Sequence, residues 1–251
     1  MEYQEFTFEI EALTGINLRL YKEKQMKRRI EALIARLGLL GYKAYVGLLR
    51  QNEDALKYFL DYITINVTEF FRTPNHWRQL EQEVLPQMKS PKVWSCACAT
   101  GQEAYSLAMS LAEQTSLENI HVLATDIDKG ALAKAVVGEY REKELTNVPQ
   151  SYLEKYFEPT KAGFRVRAEI RKCVEFQEIN LLVDEYPKDL DLIVCRNILI
   201  YFTDEAKHKL LAGFHESLRP GGILFTGHTE QVLNYKQYGY GKIHNCLYYR
   251  E

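Results

Sequence analysis

The sequence predicts a doubly wound α/β domain with a small antiparallel β insert, preceded by an all-helical N-terminal domain. Three observations lead there. From Lys92 onward, short apolar runs alternate with helical segments, the pattern of a parallel sheet covered by helices. Residues 1–85 instead carry helical spacing with no hairpin turn. The third is the stretch Lys92-Val-Trp-Ser-Cys-Ala-Cys-Ala-Thr-Gly101. It reads as an apolar strand handing over to a helix through small residues, and the next strand ends at Asp126.

Taken in order, helices are expected at 2–13, 21–37, 42–50, 54–65 and 74–84. The first stops at Thr14-Gly15, since glycine readily takes the left-handed position that ends a helix. In the second, Met26, Ile30, Leu33, Ile34 and Leu37 share one face. Lys24 and Arg28 project almost opposite that stripe, flanked by Lys27. Between 22 and 36, six basic residues stand against two acidic ones. Such a face is either solvated or a docking surface for an acidic partner. Thr73 is placed to cap the fifth helix, with Pro74 at its first position. Residues 86–91 form the linker into the second domain, 92–251.

Within that domain, strands are expected at 92–97, 121–126, 190–195 and 222–227, with an antiparallel pair inside 242–250. Helices are expected at 102–113, 129–136 and 204–217, the last capped by Thr203 or Asp204. Residues 147–178 break the alternation and form the insert. Its segments 163–167 and 173–177 read as two short strands turned through a charged segment. Arg165 and Arg167 would make one side basic, an edge that can pair with a peptide or that exists to prevent pairing. Arg219-Pro-Gly-Gly222 reads as a tight turn.

Composition excludes several classes. The 251 residues are 46% hydrophobic and 26% charged with a net charge of -2, so no global basic field argues for nucleic acid. No signal peptide or bilayer-spanning run is expected. The five cysteines are scattered, and Cys96-Ala-Cys98 has neither redox nor zinc-knuckle spacing, so no metal site is expected. A reduced, cytoplasmic protein is expected, and a monomer is expected although no residue pattern fixes the oligomeric state.

The turn itself points to a ligand. A helix N-terminus offers free N–H groups, and a lone acid at the tip of the next strand, Asp126, is placed to bridge ribose hydroxyls. A dinucleotide site wants several glycines in this turn, whereas here there is only Gly101, with Glu103 where a pyrophosphate would be repelled. An acid there suits a cation, such as the ammonium of S-adenosylmethionine (SAM). Arg196-Asn197, at the end of the strand near 190–195, lies where α/β sheets bind ligands.

Several segments together resemble the chemotaxis receptor methyltransferases, the CheR family. They are Asn66-Val-Thr-Glu-Phe-Phe-Arg72, Trp94-Ser-Cys-Ala-Cys-Ala-Thr-Gly101-Gln-Glu103, Ala124-Thr-Asp-Ile-Asp128, Val174-Glu-Phe-Gln-Glu-Ile-Asn180-Leu-Leu182, Cys195-Arg-Asn-Ile-Leu-Ile-Tyr-Phe202 and Leu218-Arg-Pro-Gly-Gly222. The resemblance spans nearly the whole chain and departs from the family's usual residues at Ala97, Gln102 and Ala104. It implies a class I SAM-dependent methyltransferase that esterifies glutamate side chains in the acidic helical methylation region of chemoreceptors, releasing S-adenosylhomocysteine. By position, Glu103 would hold the SAM amino group, Asp126 the ribose, and Asn180 and Leu181 the adenine. Asn66, Thr68 and Arg72 would reach the cofactor from the N-terminal side, with Arg72 also near the reacting groups. Arg196 and Asn197 would line the floor, Tyr201 would sit near the transferred methyl, and Lys24, Lys27 and Arg28 would dock the receptor. Two other readings stay open: a methyltransferase for another carboxylate acceptor, and a catalytically silent SAM-binding adaptor.

Overall fold

The computed structural model describes residues 1–251. The chain packs as two units, residues 1–65 with 200–209, and residues 66–199 with 210–251. The division expected near residue 85 therefore lies at 65, and the helical segment that follows belongs to the second unit.

The first unit is built on α1 (Tyr3–Thr14), α2 (Glu23–Arg36), α3 (Tyr42–Gln51) and α4 (Glu53–Thr64). Gly15 ends α1 in the left-handed conformation, its N–H bonded back to Glu11. Asn52 caps α4 by accepting from the Ala55 N–H at 2.9 Å. Phe6, Tyr45 and Phe59 meet as edge-on and stacked rings at 5.7–6.4 Å and are almost wholly buried. That geometry adds to plain area burial. Met26, Ile30, Leu33 and Ile34 are buried as the spacing predicts, but Leu37 falls past the helix end and is exposed. Tyr21 bridges Phe202, and the Lys22 N–H donates to the Tyr201 carbonyl at 2.8 Å. Thr203, rather than Asp204, caps the helix that follows, accepting from Ala206 N–H at 3.3 Å.

The second unit opens with α5 (Pro74–Gln79), continued by a π-helical turn, Leu80–Val84. Thr73 sits at φ 62° and its side chain makes no cap; its carbonyl instead accepts from the His76 N–H. Next come β1 (Lys92–Cys96), α6 (Gln102–Ala112), β2 (His121–Asp126), α7 (Lys129–Val137) and β3 (Glu139–Tyr140). They are followed by α8 (Gln150–Tyr156), β4 (Phe157–Pro159), β5 (Phe164–Val166), α9 (Ala168–Arg171) and β6 (Val174–Glu178). The chain ends with β7 (Leu190–Cys195), α10 (Asp204–Ser217), β8 (Leu218–Thr226), β9 (Tyr240–His244) and β10 (Leu247–Arg250).

Seven strands form the main sheet in the order β6-β2-β1-β7-β8-β10-β9. The first five run parallel, and β10 and β9 are antiparallel. Trp94 is fully buried on β1, its indole N–H donating to Thr125 Oγ1 on β2 at 2.9 Å. Strand order reverses between β1 and β7, a switch point whose strand ends open a crevice.

The insert differs from its expected form. Val174–Glu178 does not turn back on the preceding strand; it lies parallel to β2 at the sheet edge, reached from β2 by a long connection that carries α7 and the insert. The small sheet is instead β3-β5-β4, beginning at 139. β5 is its central strand, so no free edge remains there, and Arg165 is paired with Glu139 at 3.0 Å. Arg219–Gly222 forms a bulge rather than a turn before the strand: Leu190 pairs with Leu218 and Leu192 with Ile223.

Gly163 closes the insert at φ 152°, where an added Cβ would stand 2.2 Å from the Tyr140 carbonyl oxygen. Backbone cannot yield as a side chain can, so Gly163→Ala is expected to destabilise the protein by at least about 3 kcal/mol. The urea midpoint followed by circular dichroism measures it.

Candidate functional site

The loops after β1, β2 and β7 converge at the switch point, and backbone geometry there is unusual. Ala97, Ala99 and Asn197 have φ of 55°, 48° and 61°, and Gly101 has 91°. Left-handed backbone costs about 1–2 kcal/mol for a residue with a Cβ, so each must be held. Ala99 is held by Asp126, whose Oδ2 accepts its N–H at 2.8 Å while Oδ1 accepts that of Asp128 at 3.0 Å. Asn197 is held by Glu230, which accepts its N–H at 2.5 Å and that of Gly227 at 3.0 Å. Gly101 needs the missing Cβ, which would otherwise press 2.8 Å from Ala135.

Glu103, in the first turn of α6, accepts from the Ser95 hydroxyl at 3.0 Å and from the Arg196 guanidinium at 3.4 Å. Arg196 also donates to the Arg72 carbonyl at 2.7 Å and lies over the Phe225 ring, 4.8 Å from its centroid. Burial pushes the Glu103 and Asp126 carboxyls above their ordinary range and pulls Arg196 below its own. Asn66 donates to Asp128 Oδ2 at 2.6 Å, and Asp128 Oδ1 caps α7 through the Ala131 N–H at 3.0 Å. Asn180 follows β6, its N–H on Asp184 at 2.7 Å and its side-chain oxygen accepting from Leu182 N–H at 3.0 Å. Ile179 N–H bonds the Asp126 carbonyl, which brings Asn180 and the buried Leu181 beside the end of β2.

The second unit thus gathers Asn66, Arg72, Glu103, Asp126, Asn180, Leu181, Arg196 and Asn197 through hydrogen bonds that run between the strand ends. Thr68 lies half-buried in the same 66–72 segment. Tyr201 and the basic residues Lys24, Lys27 and Arg28 belong to the first unit. Three residues with evident roles here escaped sequence reasoning. Ser95 acts through a residue on another element and Glu230 chiefly through Asn197, distant in sequence. Asp128 stands directly before the helix expected at 129–136, where the preference for an acidic N-cap could have announced it.

Charge is the site's dominant property. Glu103, Asp126, Asp128 and Glu230 are buried in this unit against a single buried base, Arg196. An interior so acidic fits a cationic ligand, and the Asp126 and Glu103 carboxylates, with about four acceptor positions each, keep lone pairs beyond the bonds above.

Residues 66–243 match the family described as CheR methyltransferase, SAM binding domain, and residues 1–64 match the CheR methyltransferase all-alpha domain. The chain belongs to the CheR methyltransferase family. The chemotaxis protein methyltransferase of Listeria monocytogenes is 39% identical to this CheR chain over 252 residues, covering 98% of it and 96% of the relative. That of Escherichia coli K12 is 36% identical over 226 residues, covering 86% and 79%. SAM is therefore the cofactor of this CheR methyltransferase, and the class I Rossmann-like fold is the one described. No helix is long and apolar enough to cross a membrane.

Asp126 carries structural weight whatever it binds. Asp126→Ala leaves the buried Ala99 and Asp128 N–H groups without their acceptor, so it is expected to cost about 2–4 kcal/mol of stability without any ligand. A urea midpoint equal to wild type would show that the carboxylate acts on ligand alone.

Proposed function

We propose that this protein transfers the methyl group of SAM to glutamate side chains of chemoreceptor cytoplasmic domains, forming γ-glutamyl methyl esters. The observation that carries the reading is the excess of buried carboxylates at the switch point, which a ligand bearing sulfonium and ammonium charges would balance. The printed names of the Listeria and Escherichia relatives, chemotaxis protein methyltransferase, supply the biological setting.

Asp126 would take the ribose hydroxyls on its remaining lone pairs. Glu103 would take the ammonium while Arg196 keeps it ionised and oriented. Asn180 and Leu181 would flank the adenine, and Asn197 would complete the floor. Bound SAM supplies an electrophilic methyl and leaves as neutral S-adenosylhomocysteine. A glutamate side chain, with a reference pKa of about 4.3, is already the nucleophile at neutral pH. A carbon–oxygen bond forms, the carbon–sulfur bond breaks, and no proton moves, so no general base is required. What the protein must do is align and dehydrate the partners, which in favourable cases lowers a barrier by about 7–11 kcal/mol.

Arg72 would attract and orient the incoming carboxylate, with Asn66 and Thr68 beside it. The Arg72 guanidinium donates to the Val67 carbonyl at 3.2 Å and is only half-buried. Tyr201 would position the methyl-accepting group. Of the basic residues on α2, Arg29 and Arg36 stack on Tyr62 at 4.8 and 5.2 Å, and Lys27 lies over Tyr3 at 5.6 Å. Lys24 and Arg28 stand exposed and are the pair best placed to meet an acidic receptor helix.

With methyl-labelled SAM and chemoreceptor-containing membranes, base treatment is expected to release labelled methanol from the receptor bands. SAM binding without any ester would assign the chain to the adaptor reading, and ester on other proteins alone would assign it to another acceptor. Reversing charge at Lys24→Glu with Arg28→Glu is expected to slow receptor methylation at least tenfold with SAM affinity intact. Unchanged receptor turnover would remove α2 as the docking face.

A further inference from the structure

His76 on α5, His228 just beyond β8 and Cys246 in the turn between β9 and β10 come together on one side of the second unit. Their ligating atoms all lie within 4.8 Å of one another. Cys246 Sγ stands 3.5 Å from His76 Nδ1, and the two imidazole rings are 4.9 Å apart between centroids. A sulfur and a nitrogen sharing one tetrahedral zinc lie about 3.5 Å apart, given bonds of about 2.3 and 2.0 Å. No partner of the cluster is close in sequence to another, which is why no ligand spacing could announce it.

We propose that these three residues form a binding site for a divalent transition metal of the zinc class. The donor set selects the ion: one thiolate and two imidazoles suit zinc or cobalt, whereas magnesium and calcium want oxygen. Each donor is held by backbone it does not control. The Cys246 carbonyl accepts from Thr226 N–H at 2.9 Å, the His76 N–H is bonded to the Thr73 carbonyl at 2.9 Å, and the loop bearing His228 is pinned by Glu230 to Gly227. Cys246 is buried, so its sulfur is shielded from competing water, while His228 is exposed and gives an ion its way in. Arg196, a cation felt by both His76 and Cys246, is already paired with Glu103. On binding, the thiol proton leaves to solvent and a sulfur–metal bond replaces the S–H bond. Three protein donors leave the fourth position to water. The bound ion would tie α5, which follows Arg72, to the loop whose Glu230 holds Asn197.

Cobalt added to the metal-free full-length protein tests the site without recourse to activity. A thiolate-to-cobalt charge-transfer band is expected, saturating at one equivalent and displaced by zinc. Cys246→Ser should abolish the band. His228→Ala removes an exposed ring that the fold does not need, and should weaken cobalt affinity at least about tenfold, the lower end of what even an indirect partner of a ligand contributes. Absence of the band at saturating cobalt, its survival in Cys246→Ser, or wild-type affinity in His228→Ala would each overturn the proposal.

Discussion

The buried guanidinium of Arg196 constrains the functional end of the second unit. It lies almost without solvent, and so does its partner Glu103. Burial pulls each toward its neutral form, and each keeps the other charged. Removing one partner of such a pair strands the other, at a cost of about 3–5 kcal/mol, so the pair behaves as one fixed object. It is also anchored sideways, over the Phe225 ring and onto the Arg72 carbonyl. The end of β7, the first turn of α6 and the segment beginning at Asn66 are thereby set against one another. Each carries a residue proposed to meet the cofactor, so the site takes its geometry from an ion pair rather than from the loops that display it.

The loops in turn are held in conformations they would not choose. Non-glycine residues in left-handed backbone persist only where their surroundings over-determine them. Here the surroundings are carboxylates aimed at backbone N–H groups: Asp126 at Ala99, Glu230 at Asn197. Phe71, at φ 48°, is fixed the same way by the Ser106 hydroxyl at 3.1 Å. This accounts for the small residues in the turn. Alanine has a Cβ and so meets the left-handed penalty, but it carries nothing beyond that Cβ to clash further at Ala97.

Much of this was legible in the sequence because it is local. Strands 92–97, 121–126 and 190–195 announce themselves as short apolar runs, and ligands of α/β sheets sit at strand ends, so Glu103, Asp126 and Arg196 could be named before their neighbours were known. Val174–Glu178 was misread for a physical reason. Two short strands close in sequence look like a hairpin, and only pairing with β2, far earlier in the chain, makes the second a parallel edge strand. Glu230 carries no periodicity or motif that local reasoning can use, since its role consists of two backbone amides elsewhere. The same holds for the basic residues of 22–36: pattern gave six cations, and only packing separates Arg29 and Arg36, stacked on tyrosine rings, from the exposed Lys24 and Arg28.

Raised carboxyl pKa values in a crevice ordinarily mark acid–base catalysts. That reading does not fit Asp126 and Glu103. Both Asp126 oxygens accept backbone N–H groups and both Glu103 oxygens are engaged by Ser95 and Arg196, so each carboxylate is held in place while its remaining lone pairs face a ligand's donors. The carboxylate acceptor proposed above has no proton to surrender in any case. The shifts are better understood as the consequence of burying four acids beside one base in anticipation of a cation. A ligand that brings positive charge lowers those pKa values as it binds, so part of its affinity is the relief of an electrostatic strain built into the fold. On the proposed reaction the acids serve recognition, and the chemistry rests on alignment and the exclusion of water.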